Sequence, residues 1–147
     1  MSFDVHQFRD LIGRRLMVRP VLYSDDAVDL LMGTAAQESQ LGTWLRQIGG
    51  GPALGAFQME PDTFRWLQAK FATRFSEICS RYHADLEWDL DLAILMARLR
   101  YRVVPAALPK AGDLTMQAPY WKQHYNTTAG AGTVEQFVHN YRLFVSC

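Results

Sequence analysis

Residues 24–40 read SDDAVDLLMGTAAQESQ, and this stretch decides the fold. Ser24 followed by Asp25 and Asp26 reads as a helix start, because a serine side chain accepts from an orphan amide and two carboxylates complement the positive end of a helix dipole. Ala27, Leu31, Thr34, Ala35 and Glu38 then recur at spacings of three and four, which puts them on one inward face. Glu38 thus continues an apolar stripe with an acid. Desolvation disfavours its charged form and the negative end of the dipole pushes the same way, so its pKa is expected to rise. A glutamate raised in this way can donate a proton near neutral pH. By itself such a residue more often serves structure, and only the segments downstream change that reading.

The flanking sequence continues in helical style. Phe3, Phe8, Leu11, Ile12 and Leu16 approximate a first helix that ends before Pro20. Pro61 suits a first helical turn, and Phe64, Leu67, Phe71, Phe75, Ile78 and Tyr82 predict one long amphipathic helix after it. A further helix is expected over 89–104, with Leu92, Leu95, Met96, Leu99 and Val103 inward, Arg98, Arg100 and Arg102 on a solvated face, and Pro105 at its end. Residues 105–119 carry three prolines and a glycine and read as a connector before a short helix near Tyr120 to Tyr125. Thr133 with Gln136 forms a capping-box pattern, and Phe137, Tyr141 and Phe144 supply the apolar face of a last helix. The fold class is mainly α, α+β at most. The Gly-rich loop around Gly49 to Gly51 separates the second and third helices, and a small β-hairpin around 48–59 is the one place where strands fit.

At 147 residues the chain has the size of one domain, so 1–147 is read as a single unit. Lys plus Arg and Asp plus Glu each total 15, and this zero formal charge gives no footprint for nucleic acid or an anionic membrane. No apolar run approaches the ~20 residues needed to span a bilayer, and MSFDVHQFRD lacks the basic start and apolar core of a secretion signal. A product made in the cytoplasm is expected. Cys79 and Cys147 fit neither a disulfide framework nor a metal spacing and read as free thiols, with Cys79 in the core. Core packing is also the expectation for Trp44, Trp66, Trp88 and Trp121. His6, His83, His124 and His139 show no ligand spacing, and neither a metal nor another cofactor is called for.

Three separated segments line up as a candidate site: Gln37-Glu38-Ser39 at a helix end, Gly55-Ala56-Phe57-Gln58-Met59-Glu60-Pro61 after the glycine loop, and His124-Tyr125-Asn126-Thr127 before another glycine-rich turn. Together they resemble the lytic transglycosylases of the lysozyme-like superfamily. In that family a Glu-Ser pair closes the catalytic helix, a Gly-Leu-Met-Gln-like segment precedes a proline, and an Ala-Tyr-Asn-Ala-Gly-like segment comes later. The order and spacing of the segments carry the resemblance, which covers roughly residues 24–142. The chain departs from the pattern in its middle loop, Ile48-Gly49-Gly50-Gly51-Pro52-Ala53-Leu54, which lacks the usual serine, and in Tyr125-Asn126-Thr127-Thr128-Ala129-Gly130, which has an insertion before its glycine.

The resemblance implies a largely helical fold with a substrate cleft, and cleavage of the β-1,4 bond between N-acetylmuramic acid and N-acetylglucosamine in peptidoglycan. It makes Glu38 the catalytic residue, acting first as acid and then as base on the C6 hydroxyl to close a 1,6-anhydro ring. Ser39 would brace Glu38 or contact substrate, Gln58 would bond the sugar, Met59 with Phe57 would wall the cleft, Tyr125 would orient the Glu38 carboxyl, and Asn126 would fix loop or ligand. Compact versions without a signal look phage-derived, so virion proteins are candidate partners and delivery to the cell wall would come from the virion or a holin. A lysozyme-like hydrolase stays open, with Glu60 or Asp62 as second carboxylate. So does a non-catalytic virion or wall-binding module that retains the fold.

Overall fold

The computed structural model describes residues 1–127 and 130–146. It is mainly helical: α1 Val5–Met17, α2 Asp25–Ser39, α3 Pro61–Phe71, α4 Leu90–Arg102, α5 Leu114–Trp121 and α6 Val134–Phe144, with short 3-10 turns at Pro20–Leu22, Ser76–Ile78 and His83–Glu87. No helix among the described residues is long and apolar enough to cross a membrane.

Helix α2 is the axis of the fold. Ser24 caps it by accepting from Ala27 N at 3.0 Å, and every residue from Ala27 to Ala36 is buried. Such a helix cannot rest on a single partner, and α1, α4, α5 and α6 all pack against it. Gly33 makes the closest approach, since a Cβ there would lie 2.6 Å from Phe137 Cζ of α6. In the middle of α2 the buried Asp29 accepts hydrogen bonds from Arg9 of α1, Gly112 N, Gln117 of α5 and Tyr141 of α6. Burial pushes the Asp29 carboxyl up, but the bonds from Gln117, Gly112, Tyr141 and Arg9 outweigh it and hold the pKa below its ordinary value. One acid therefore ties three other helices and a loop to the central one.

The ends of α1, α2, α4 and α6 follow their capping residues. Asp4, Asp89 and Thr133 accept from Gln7, Leu92 and Gln136 amides, and Gln136 Oε1 in turn accepts from Thr133 N. At the other end of α2, Leu41 N bonds to Ala35 O and Gln40 N to Ala36 O, a left-handed stop. Gln40, Leu41 and Gly42 all have positive φ, and a Cβ on Gly42 would overlap the Phe3 ring.

Several expectations need correction. The long helix from Pro61 ends at Phe71, where Arg74 N and Phe75 N both bond back to Phe71 O. Phe71, Phe75 and Ile78 remain buried, because spacings of four and three are met equally well by a chain that turns back, and Gln68 Nε2 secures that turn by donating to Ile78 O and Arg81 O. The hairpin around 48–59 does not form. Only isolated antiparallel bridges pair Arg46 with Leu54 and Leu54 with Met59, and positive φ at Gly49, Gly50 and Gly55 bends the chain out of a ladder. The connector ends sooner than expected: α5 begins at Leu114 and runs through Pro119 before widening into a π turn, Lys122–Asn126. A proline cannot supply the bond to the carbonyl four residues back, and the widened turn begins three residues after it.

The side chains of α4 also differ from the solvated face expected of its arginines. Arg98 is buried and donates from Nε to Leu22 O at 2.8 Å, Arg100 is half-buried, and Arg102 is exposed. Among the tryptophans only Trp121 is in the core; Trp44, Trp66 and Trp88 are exposed, the last two beneath Lys70 and Arg81. Cys79 is exposed as well, because the break after Phe71 turns it off the apolar stripe. Cys147 lies outside the described residues, as do Thr128 and Ala129 of the third segment.

Candidate active site

The C-terminal turn of α2, the loop from Gly55 to Pro61 and the π turn after α5 converge on one cleft. It has a volume of about 240 Å³ and is lined by Glu38, Gln58, Met59, Glu60, Tyr125 and Asn126, with Thr63, Arg100 and Thr127 completing it. A second hollow of about 380 Å³ shares Glu38, Gln58, Glu60 and Asn126 and extends toward Trp44 and Ile48. Glu38 thus stands where two arms of a groove meet.

Glu38 is held by a residue the sequence did not nominate. Trp121, fully buried, donates from Nε1 to Glu38 Oε2 at 3.0 Å. Burial pushes the Glu38 carboxyl up to about 7, and the Trp121 hydrogen bond pulls weakly the other way. The surroundings explain the size of the shift. Tyr101 and Tyr125 stack at 5.3 Å, and burial followed by the nearby charge of Glu38 pushes the Tyr125 phenol well above its ordinary value. The Tyr101 hydroxyl pairs with Thr34 at 2.8 Å. Both phenols feel the charge of Glu38, and among the described residues no cation forms an ion pair with it. Gly132 backs onto the indole of Trp121, where a Cβ would come within 2.6 Å of Cη2.

The other nominated residues fall into place with altered roles. Ser39 is fully buried and does not line the cleft. Its Oγ donates to Ala56 O at 2.6 Å and accepts from Gly42 N at 2.8 Å, fastening the end of α2 to the back of the cleft loop. Tyr125 lines the cleft, but its hydroxyl donates to Phe57 O at 2.7 Å rather than to Glu38. The bond satisfies a loop carbonyl that would carry a desolvation penalty if left unpaired. Gln58 sits at φ 48°, donates from Nε2 to Gly55 O and Trp44 O, and lines both arms of the groove. Met59 is buried in the wall, and its carbonyl is paired with His83 Nε2 at 2.7 Å. Asn126 Oδ1 accepts from Lys122 Nζ, which also donates to Gly130 O, so the π turn is stitched to the glycine turn behind it.

Of the two further carboxylates considered, Glu60 lines the cleft, whereas Asp62 faces outward and pairs with Arg65. Trp121 and Arg100 were missed, the first because it reads as ordinary core and the second because it reads as part of a solvated arginine face. The four-residue step from Trp121 to Tyr125 was the available signal, since it puts both on one side of a helical turn. Among the described residues no group of three His, Cys, Asp or Glu side chains could hold a metal ion. No protein-family model, no curated protein and no solved structure matches the chain.

Proposed function

We propose that this chain cleaves peptidoglycan as a lytic transglycosylase, breaking the β-1,4 bond between N-acetylmuramic acid and N-acetylglucosamine. One observation carries the reading: a carboxyl with a pKa of about 7, Glu38, at the meeting point of two arms of a groove. An extended groove with an acid midway suits a linear polymer cut internally. Neutral polar groups around the acid, Gln58, Asn126 and Thr63, suit a sugar.

The chemistry follows from the two oxygens of Glu38. Oε2 accepts from Trp121, whereas Oε1 has no donor among the described residues and is assigned the exchangeable proton in this reading. That proton passes to the glycosidic oxygen as the C1–O bond breaks and positive charge develops at C1. The carboxylate so formed then takes the proton of the C6 hydroxyl as that oxygen bonds to C1, closing the 1,6-anhydro ring and restoring the acid. A pKa near 7 serves both halves, since neither protonation state is costly to reach at neutral pH.

Glu60 lines the same cleft and supports a second reading, in which water rather than the C6 hydroxyl attacks C1. Mass spectrometry of digested sacculi separates the two. Anhydro-muropeptides are expected, reducing ends would assign the hydrolase, and intact sacculi would remove both and leave a non-catalytic module.

A further inference from the structure

Arg100 projects from the last turn of α4 into the cleft that holds Glu38, where it is half-buried. Arg9, Arg15, Arg19, Arg46 and Arg81 each hold a carboxylate at 2.6–2.9 Å. Arg100 makes no hydrogen bond or ion pair among the described residues, although its charge is felt at Tyr125 and His124 on the facing π turn. Two carboxyl groups share the cleft with it. Glu38 is engaged by Trp121 and faces the groove, and Glu60, at the start of α3, lies beyond ion-pair distance of the guanidinium.

A guanidinium is always charged and presents a planar fork of donors that matches a carboxylate in two parallel bonds. Placing one in a partly desolvated groove with its donors unspent is unfavourable for the empty protein, and an incoming anion relieves it. We propose that Arg100 is the anion-binding residue of this cleft, taking a carboxylate carried by the glycan strand beside the bond that Glu38 addresses. The inference rests on the glycan reading of the site and adds a preference to it: strands bearing acidic substituents over neutral strands of the same backbone. Two carboxylates could serve, the free lactyl group of a naked N-acetylmuramic acid or a carboxylate of its peptide.

The test is calorimetric titration of the Glu38→Gln protein, which cannot cleave, with three tetrasaccharides: chitotetraose, the alternating N-acetylglucosamine and N-acetylmuramic acid strand without peptide, and the same strand bearing peptide. At least one acidic strand should bind about tenfold more tightly than chitotetraose, one charge-assisted bond being worth roughly that factor. The tighter of the two acidic strands identifies the source of the carboxylate. Adding Arg100→Gln should erase the preference, and Arg100→Lys should keep part of it. Equal affinity for all three strands, or a preference that survives Arg100→Gln, would overturn the proposal. Binding of none of them would overturn it together with the glycan reading, whereas a preference intact in a protein that leaves sacculi uncut would sink the catalytic reading alone.

Discussion

Trp121 Nε1 donates to Glu38 Oε2 at 3.0 Å across 83 residues of sequence. The bond fixes one carboxyl oxygen and leaves the other to the groove, and it opposes the burial that raises the Glu38 pKa. Trp121→Phe keeps an aromatic ring beside Phe137 and removes the donor. The Glu38 midpoint should then climb further above about 7, as followed by NMR of the carboxyl carbon. Turnover of sacculi should fall by roughly ten- to a hundredfold, the loss expected when a bond that orients an acid is removed. An unmoved midpoint would show that the indole does not hold the carboxyl.

Glu38→Gln separates chemistry from stability. Activity should vanish, because an amide cannot protonate a leaving oxygen. Stability should respond to pH with a definite sign. The folded pKa of about 7 lies above the ordinary 4.5 of a glutamate, so between those values the native state binds more protons than the unfolded chain and stability falls as pH rises. Well above pH 7 the wild type carries the full cost of a buried charge, roughly 3 to 4 kcal/mol for such a shift. The amide variant avoids that cost. Denaturation at pH 8 should find it more stable than wild type, and the advantage should disappear by pH 4. An equal difference at both pH values would mean that Glu38 is not buried as a proton-binding group.

The contrast between Glu38 and Trp121 also shows what the sequence can and cannot carry. The caps Ser24, Asp89 and Thr133 act on amides three residues away, so helix starts were legible from short patterns. The acid on the inward face of α2 was legible for the same reason. The partners of Asp29 come from Arg9, Gly112, Gln117 and Tyr141, and nothing local to α2 announces them. Trp121 belongs to the same class, since its bond to Glu38 exists only once α5 has packed on α2. The α3 break was hidden differently: Phe71, Phe75 and Ile78 keep the period of a helix while burying themselves from a turn. Hydrophobic spacing records which residues go inside, and the Gln68 side chain that settles the path leaves no periodic mark.

Ser39 offers a test of brace against ligand. Its buried hydroxyl joins the end of α2 to Ala56 O and Gly42 N. Ser39→Ala strands both groups, which should cost roughly 2 to 4 kcal/mol, one or two unsatisfied buried partners at the usual penalty. Urea denaturation should report that loss. The affinity for chitotetraose at low temperature, where the variant stays folded, should match wild type. A loss of sugar affinity without a loss of stability would return Ser39 to the binding surface.

Tyr125 distinguishes two accounts of how the cleft is organised. If its hydroxyl positioned the Glu38 carboxyl, its removal would release that carboxyl and alter the pH profile of cleavage. The hydroxyl instead donates to Phe57 O, one residue before Gln58, so it holds the cleft loop against the π turn. Tyr125→Phe should therefore leave the alkaline limb of the activity profile where Glu38 sets it, near pH 7. It should lower stability by about 1 to 3 kcal/mol, the cost of a carbonyl left without its donor. Because Gln58 rides on the same loop, KM for sacculi should rise while the pH of half-maximal kcat/KM stays fixed. A shifted alkaline limb with unchanged KM would put the phenol back on the carboxyl and displace Trp121 as the group that orients it.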